Sequence, residues 1–210
     1  MDADRQLLYK YFPAGAIERV CEQLYKKRVQ LRISRKRMSK LGDYRPPQNG
    51  RPHRISLNHD LNAYHMLIVF VHEMAHLEVY EKYGMRVKPH GAEWKQSFRE
   101  LMQPYFDPSI FPDDIQQTLK RYLINAKAAN GSDLPLSRVL AKYDQARKTT
   151  QSVESLPEGS LFQIPNGRVF KKASRVRKRY KCLCMRTKRL YLFNPLAEVH
   201  KLQNDTMHES

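Results

Sequence analysis

Apolar side chains recur at helical spacing over Leu7 to Tyr25 (Leu7, Leu8, Tyr11, then Ile17, Val20, Cys21, Leu24). Pro13 interrupts the series, so the pattern predicts two short helices or one broken helix. Val29 to Ile33 alternates apolar and polar residues, as a half-buried strand does. Leu41 to Arg45 and Arg54 to Leu57 read as second and third strands around a Pro46-Pro47-Gln48-Asn49-Gly50 turn. A long helix follows. Asn58, Asp60 and Asn62 are all competent N-caps, Gly84 stands where a left-handed C-cap residue is wanted, and Tyr64, Leu67, Ile68, Val71, Ala75 and Val79 form its buried stripe. Two more helices are expected, one starting just after Pro89-His90-Gly91 and running through Trp94, Phe98 and Leu101 to Pro104, and one from Asp113 to about Ala129.

Between Asn130 and Ser160 the texture turns to Gly, Ser, Thr and Pro around one helical stretch, Leu136 to Tyr143. Beyond it the period becomes two: Leu161 to Ile164, an Asn166-Gly167 hairpin signal, Val169-Phe170, Tyr180 to Met185, Leu190 to Phe193 and Ala197 to Leu202. The expected organisation is an α+β domain over 1–130, a linker with a short helix over 131–159, a β-rich module over 160–203 and a polar tail over 204–210. The β-module should be held by Phe162, Ile164, Val169, Phe170, Tyr180, Leu190, Tyr191 and Phe193.

Composition sharpens this picture in one respect. Hydrophobic residues at 41% and charged residues at 28% suit a folded, water-soluble chain, but the net charge of +17 is far from balance and favours a polyanionic partner, nucleic acid first. No apolar run approaches the roughly 18 residues of a membrane span, and acids at Asp2 and Asp4 do not suit a secretory signal. A cytoplasmic protein with no membrane partner is expected, nucleoid-associated if bacterial. Its three cysteines, Cys21, Cys182 and Cys184, are read as reduced thiols.

The chemistry lies in His72-Glu73-Met74-Ala75-His76, an H-E-x-x-H pattern on a segment already expected to be helical. Histidines at i and i+4 share one helix face, so both imidazoles can reach one tetrahedral ion, while Glu73 can act as general base on a water beside it. A catalytic zinc takes three protein ligands and keeps a fourth position open. The extended H-E-x-x-H-x-x-G-x-x-H pattern would need glycine at Val79 and histidine at Lys82, so the third donor lies elsewhere. Downstream candidates are His90, Glu93 and Glu100.

Val71-His72-Glu73-Met74-Ala75-His76-Leu77 followed by Pro89-His90-Gly91-Ala92-Glu93-Trp94 resembles the helix motif and third-ligand motif of the SprT-like family of zinc metalloproteases, related to the eukaryotic DNA-dependent protease Spartan. Lys40 to Arg45 and His53 to Asn58 are similar to the family's strand region, so the resemblance covers roughly residues 5 to 145. It implies a small zincin-like metallopeptidase domain, one Zn2+ per chain held by His72, His76 and His90, catalysis by Glu73, and protein substrates at DNA, as in repair of DNA-protein crosslinks.

Many members carry a zinc ribbon with two C-x-x-C pairs, whereas the corresponding region here has only Cys182 and Cys184. These are expected to point to opposite faces of a strand, leaving a metal-free equivalent of the ribbon. Eleven Lys or Arg and no acid lie between Arg168 and Arg189. Arg168, Lys171, Lys172, Arg175, Arg177, Lys178, Arg179 and Lys181 are the candidate nucleic-acid contacts, with Tyr180 and Tyr191 available to stack on bases. Lys26, Lys27, Arg28, Arg32, Arg35, Lys36, Arg37 and Lys40 form a second cluster around the first strand. Trp94 is expected in the core, and His53, His59 and His65 have no assigned role. The leading expectation is a zinc peptidase acting on proteins at or near DNA. Its rival is a nucleic-acid-binding protein that keeps zinc for folding; a metal-dependent hydrolase of some other bond would share every ligand.

Overall fold

In the computed structural model, residues 2–37, 39–124, 133–144 and 151–202 are described. The chain divides into two compact units, Met1–Asp144 and Gln145–Ser210.

The first unit is mixed α+β. Helices α1 (Asp2–Tyr11) and α2 (Ile17–Lys26) flank the break that Pro13 imposes, with one 3-10 turn between them. Strands β1 (Val29–Ser34), β2 (Gly42–Arg45) and β3 (His53–Asn58) form a sheet with β3 in the middle, parallel to β1 and antiparallel to β2. Because side chains alternate along a strand, Leu31, Ile55 and Tyr44 share the face turned to the core, and Arg32, Ser56 and Asp43 the face turned to solvent.

Helix α3 (Ala63–Tyr83) is buried on every side from Met66 to Ala75, wider than the single stripe its spacing predicts, while Tyr64 and Val79 of that stripe are only partly buried. Of the three possible N-caps the fold uses Asn62. Its Oδ1 accepts from the His65 amide, while its Nδ2 donates to Leu140 O and to an Asp144 carboxylate oxygen. At the other end Gly84 takes φ 61°, a left-handed conformation that L side chains rarely adopt. Helices α4 (Ala92–Met102), α5 (Asp113–Ile124) and α6 (Leu134–Ala141) complete the unit. The expected extension of α5 to Ala129 lies outside the described residues.

Helix α6 changes the expected division of the chain. Leu136 and Leu140 are buried in the same core as Trp94, Phe98 and Leu119, and Tyr143 donates to Asp114, so α6 is part of the first unit and not of a linker. Val153 and Leu156 likewise belong to the second core. A Gly/Ser/Pro-rich texture marks turns, but it does not say which core claims the apolar residues scattered within it. The tail from 204 lies outside the described residues.

The second unit carries β4 (Gln151–Ser152), β5 (Leu161–Gln163), β6 (Val169–Val176), β7 (Arg179–Cys184), β8 (Leu190–Phe193) and β9 (Glu198–Lys201) in a six-stranded sheet of order β4-β9-β5-β6-β7-β8. Its core is Val153, Leu156, Phe162, Phe170, Cys182, Cys184 and Val199. The two thiols do not point to opposite faces. Residues two apart on a strand share a face, and both sulfurs turn into the core. Leu190 does not help hold this core either: it is 62% exposed on the outer face. Among the described residues, no helix is long and apolar enough to cross a membrane.

Candidate metal centre and basic surfaces

His72 and His76 project from one face of α3, one turn apart. His90 comes from the turn before α4, where φ 59° swings its ring back over the helix. The three Nε2 atoms converge, with His90 lying 3.1 Å from His72 and 2.9 Å from His76. Ligands 2.0–2.1 Å from a tetrahedral ion stand roughly 3.3 Å apart, so this spacing is close to that of three ligands around one metal. Among the described residues, His72, His76 and His90 form the one group of three or more His, Cys, Asp or Glu close enough to hold an ion.

Burial and charge prepare the same three rings. Desolvation, then the neighbouring His76 and His90, lowers His72 to about 2. Desolvation and His90 lower His76 to about 4, and desolvation lowers His90. All three therefore carry neutral imidazoles at physiological pH, the form that offers a lone pair to a metal. Trp94 is the floor of the site. Its ring centroid lies 4.5 Å from His72, 5.5 Å from His76 and 4.6 Å from His90, and its indole N–H donates to the His72 carbonyl. The expected core role of Trp94 is correct, but that core is also the platform for the ligands. His72 Nδ1 is buried without a hydrogen-bond partner, so packing against Trp94 and Phe98 orients this ring.

Glu73 faces β2 across a cleft of about 370 Å³ lined by residues 39–44 with His72, Glu73, His76 and His90. Its carboxyl is pushed up to about 8, chiefly by burial and then by Asp43, while a hydrogen bond from the Tyr44 amide, with Arg37 and Lys40, pulls it back down. The strand can lie this close to α3 because position 42 has no side chain. A Cβ there would stand 2.5 Å from Glu73 Oε1 and 2.7 Å from a Val69 methyl. Neither Gly42 nor Tyr44 stands out in the sequence as a site residue, although a glycine inside a strand is a signal of close approach.

Behind the cleft, Tyr44 Oη lies 2.9 Å from His53 Nδ1, and His53 Nε2 lies 3.6 Å from Glu81 Oε1. His53 therefore braces the strand that holds Glu73. His59 and His65 contribute backbone amides, to Ser34 O and the Asn62 cap.

The eight candidate nucleic-acid contacts separate into two kinds. Lys171, Arg175, Arg177, Lys178, Arg179 and Lys181 are exposed on β6, β7 and the turn between them. Lys172 is buried: its ammonium donates to the carbonyls of Glu154 and Leu156 and sits 4.2 Å from the centre of the Tyr180 ring. Arg168 is half-buried and stacks over Phe170 and Tyr191, with one Nη 3.7 Å from Cys184 Sγ. Lys172 and Arg168 are thus structural cations. Tyr180 and Tyr191, expected as stacking platforms, pack against the core of their unit.

In the first unit, Lys27 pairs with Glu78 and Glu81, Lys36 with Asp60 and Lys40 with Asp43. Arg37 bonds Asn58 and Ser56.

No curated protein and no solved structure matches the chain. The model of the SprT-like family matches residues 14–121, a span that runs from the turn before α2 into α5 and contains the three histidines, Glu73 and all of β2. That match covers more than half of the chain, and the chain therefore belongs to the SprT-like family.

Proposed function

We propose that this protein is a zinc-dependent peptidase that cleaves protein substrates held near nucleic acid. The observation that carries the reading is the convergence of His72, His76 and His90 Nε2 atoms beside a buried carboxyl, in a cleft walled by an edge strand. Three neutral nitrogen donors with room left for a fourth ligand suit a catalytic zinc better than a closed structural site, which takes four protein ligands. A zinc ion held there would polarise a peptide carbonyl and acidify water.

The chain's own residues supply the rest. Glu73, which a cation at that position would hold ionised, takes the proton of the attacking water and delivers it to the departing amine nitrogen. The Tyr44 amide and the bare backbone of Gly42 fix where its carboxylate sits. Among the described residues, strand β2 pairs with β3 on one edge only, so its other edge can align an extended peptide by main-chain hydrogen bonds. The exposed cations of β6 and β7 would hold nucleic-acid phosphates.

The test is cleavage of a DNA-binding protein, with and without DNA. Glu73→Gln should abolish cleavage and keep one zinc per chain, while His90→Ala should lose the zinc. If wild type shows no Glu73-dependent cleavage in either condition, the peptidase reading fails and a binding protein with a structural metal replaces it. Two zincs per chain would overturn the expectation of a metal-free second unit.

A further inference from the structure

The solvent face of the first unit's sheet carries a concentration of charge: Asp43, Arg37 and Lys40 act on Glu73 from its edge, while Arg32, Arg45 and Arg54 have no part in the metal site. In register across the three strands stand Gln30, Arg54 and Arg45, and next to them Arg32, Ser56 and Asp43. Arg37 lies on the same face, fixed to Ser56 and Asn58 by three hydrogen bonds from its guanidinium. Lys40 reaches Asp43 from the loop before β2.

Five cations thus share one carboxylate, and Asp43 is already occupied by Lys40 and Arg45. Among the described residues Arg32 and Arg54 have no acidic partner, and Arg54 Nε is buried without a hydrogen bond. Like charges directly opposite each other on neighbouring strands destabilise a sheet, and here Arg45 and Arg54 are such a pair. An arrangement that costs stability and sets four guanidiniums and an ammonium against one carboxylate is what an anion-binding surface looks like without its anion.

We propose that this sheet face binds the phosphate backbone of nucleic acid. Arg32, Arg54 and Arg45 span three strands, roughly 10 Å at ordinary strand spacing, which is more than one phosphate covers. The face is open and built of Arg, Lys, Gln and Ser, with no exposed apolar side chain among these residues to enter a lipid layer. Its position matters as much as its charge. Along β2, Asp43 and Arg45 face outward while Gly42 and Tyr44 face Glu73, so the bound backbone lies on the reverse of the strand that walls the cleft. This surface rests on the nucleic-acid part of the function proposed above and is independent of the exposed cations of β6 and β7.

The test uses the full chain carrying Glu73→Gln, so that turnover plays no part. Binding to labelled single-stranded and duplex oligonucleotides is followed from about 50 to 200 mM salt. Replacing Arg32 and Arg54 together by Gln should weaken duplex binding at least tenfold at the lower salt. It should also reduce the slope of log K against log salt by about 1.8, at about 0.9 for each phosphate no longer neutralised. The Arg32→Lys, Arg54→Lys pair should keep most of the slope.

An unchanged slope in a Gln variant that melts like wild type overturns the proposal. If only replacement of Arg177, Lys178 and Arg179 moves the slope, the turn between β6 and β7 binds alone, and this surface fails while the wider reading survives. If wild type binds no oligonucleotide, both fail. Tighter, Arg54-dependent binding to vesicles of phosphatidylcholine and phosphatidylserine would replace nucleic acid by a membrane surface.

Discussion

A Cβ on Gly42 would stand 2.5 Å from Oε1 of Glu73, closer than such atoms approach in proteins, so the absence of a side chain at 42 sets the position of the carboxylate. The close approach joins an edge strand to the helix that carries the histidines. It makes the position of Glu73, the proposed general base, dependent on a residue that has no side chain of its own.

Gly42→Ala should therefore displace Glu73 and ease β2 away from α3, because the new Cβ meets Oε1 and Cγ of Glu73 and a methyl of the fully buried Val69, and only the first of these is the end of a flexible side chain. A displacement of about 1 Å in a catalytic group costs on the order of 100-fold in rate. The expected result is kcat/KM reduced by about that factor with zinc content unchanged. Full activity in Gly42→Ala would show that the closeness of β2 to Glu73 has no part in catalysis.

The first unit of the metal-free protein should have a stability maximum near pH 6.5; Cys184, whose thiol is lowered to about 6 chiefly by a hydrogen bond with Thr187, would offset the trend above that pH but lies in the second unit. His72 and His76 are lowered from 6.5 to about 2 and about 4 in the fold, so below 6.5 the unfolded chain takes up protons that the folded chain refuses. Their contribution to stability is fully present above 6.5 and falls with pH below it, by about 1.4 kcal/mol per pH unit for each such proton.

Glu73 runs the other way. Raised from 4.5 to about 8, it is protonated only in the fold between those values, so it favours the folded state at lower pH and costs stability as pH rises toward 8. One such proton is outnumbered by the histidines below 6.5. Asp43 and Asp114, whose carboxyls are lowered, matter only below about 4. Melting temperatures of chelator-treated protein from pH 8.5 to 5 check this. In Glu73→Gln the decline above pH 6.5 should vanish, and a flat profile in wild type would contradict the buried state of the three rings.

Lys172→Met and the triple replacement of Arg177, Lys178 and Arg179 should have opposite effects. The first leaves the carbonyls of Glu154 and Leu156 without their donor, which costs the second unit about 1–3 kcal/mol and leaves the salt dependence of oligonucleotide binding unchanged. The second removes exposed charge, so it should leave melting within about 0.5 kcal/mol of wild type and lower the salt slope. Calorimetry and binding on the two variants decide it. Loss of salt dependence in Lys172→Met would return that lysine to the binding surface.

Much of the fold was legible along the chain because it follows local rules. Periodicity located α1 to α4 and β1 to β3, and the caps at Asn62 and Gly84 follow from residue chemistry within one turn of the helix end. Asn58 and Asp60 are equally good caps by type. The choice of Asn62 comes from its amide reaching Leu140 and Asp144, some 80 positions away. The same limit explains α6, whose residues look like a linker until two leucines find a core.

The sequence by itself determined two of the three nitrogen donors and the carboxyl beside them, because two histidines and a glutamate within five residues of one helix need only helical geometry to come together. It also determined the excess of positive charge. Tertiary structure brings His90 to the other two nitrogens, as the Pro89-His90-Gly91 motif leads one to expect, and it alone decided that Gly42 and the Tyr44 amide hold Glu73 and which cations face water. Lys171 and Lys172 are neighbours with the same side chain, and one is exposed while the other is buried over Tyr180. The physical reason is that a local pattern states what a residue is and which way its neighbours alternate, whereas burial, desolvation and the meeting of distant atoms arise only when the chain packs.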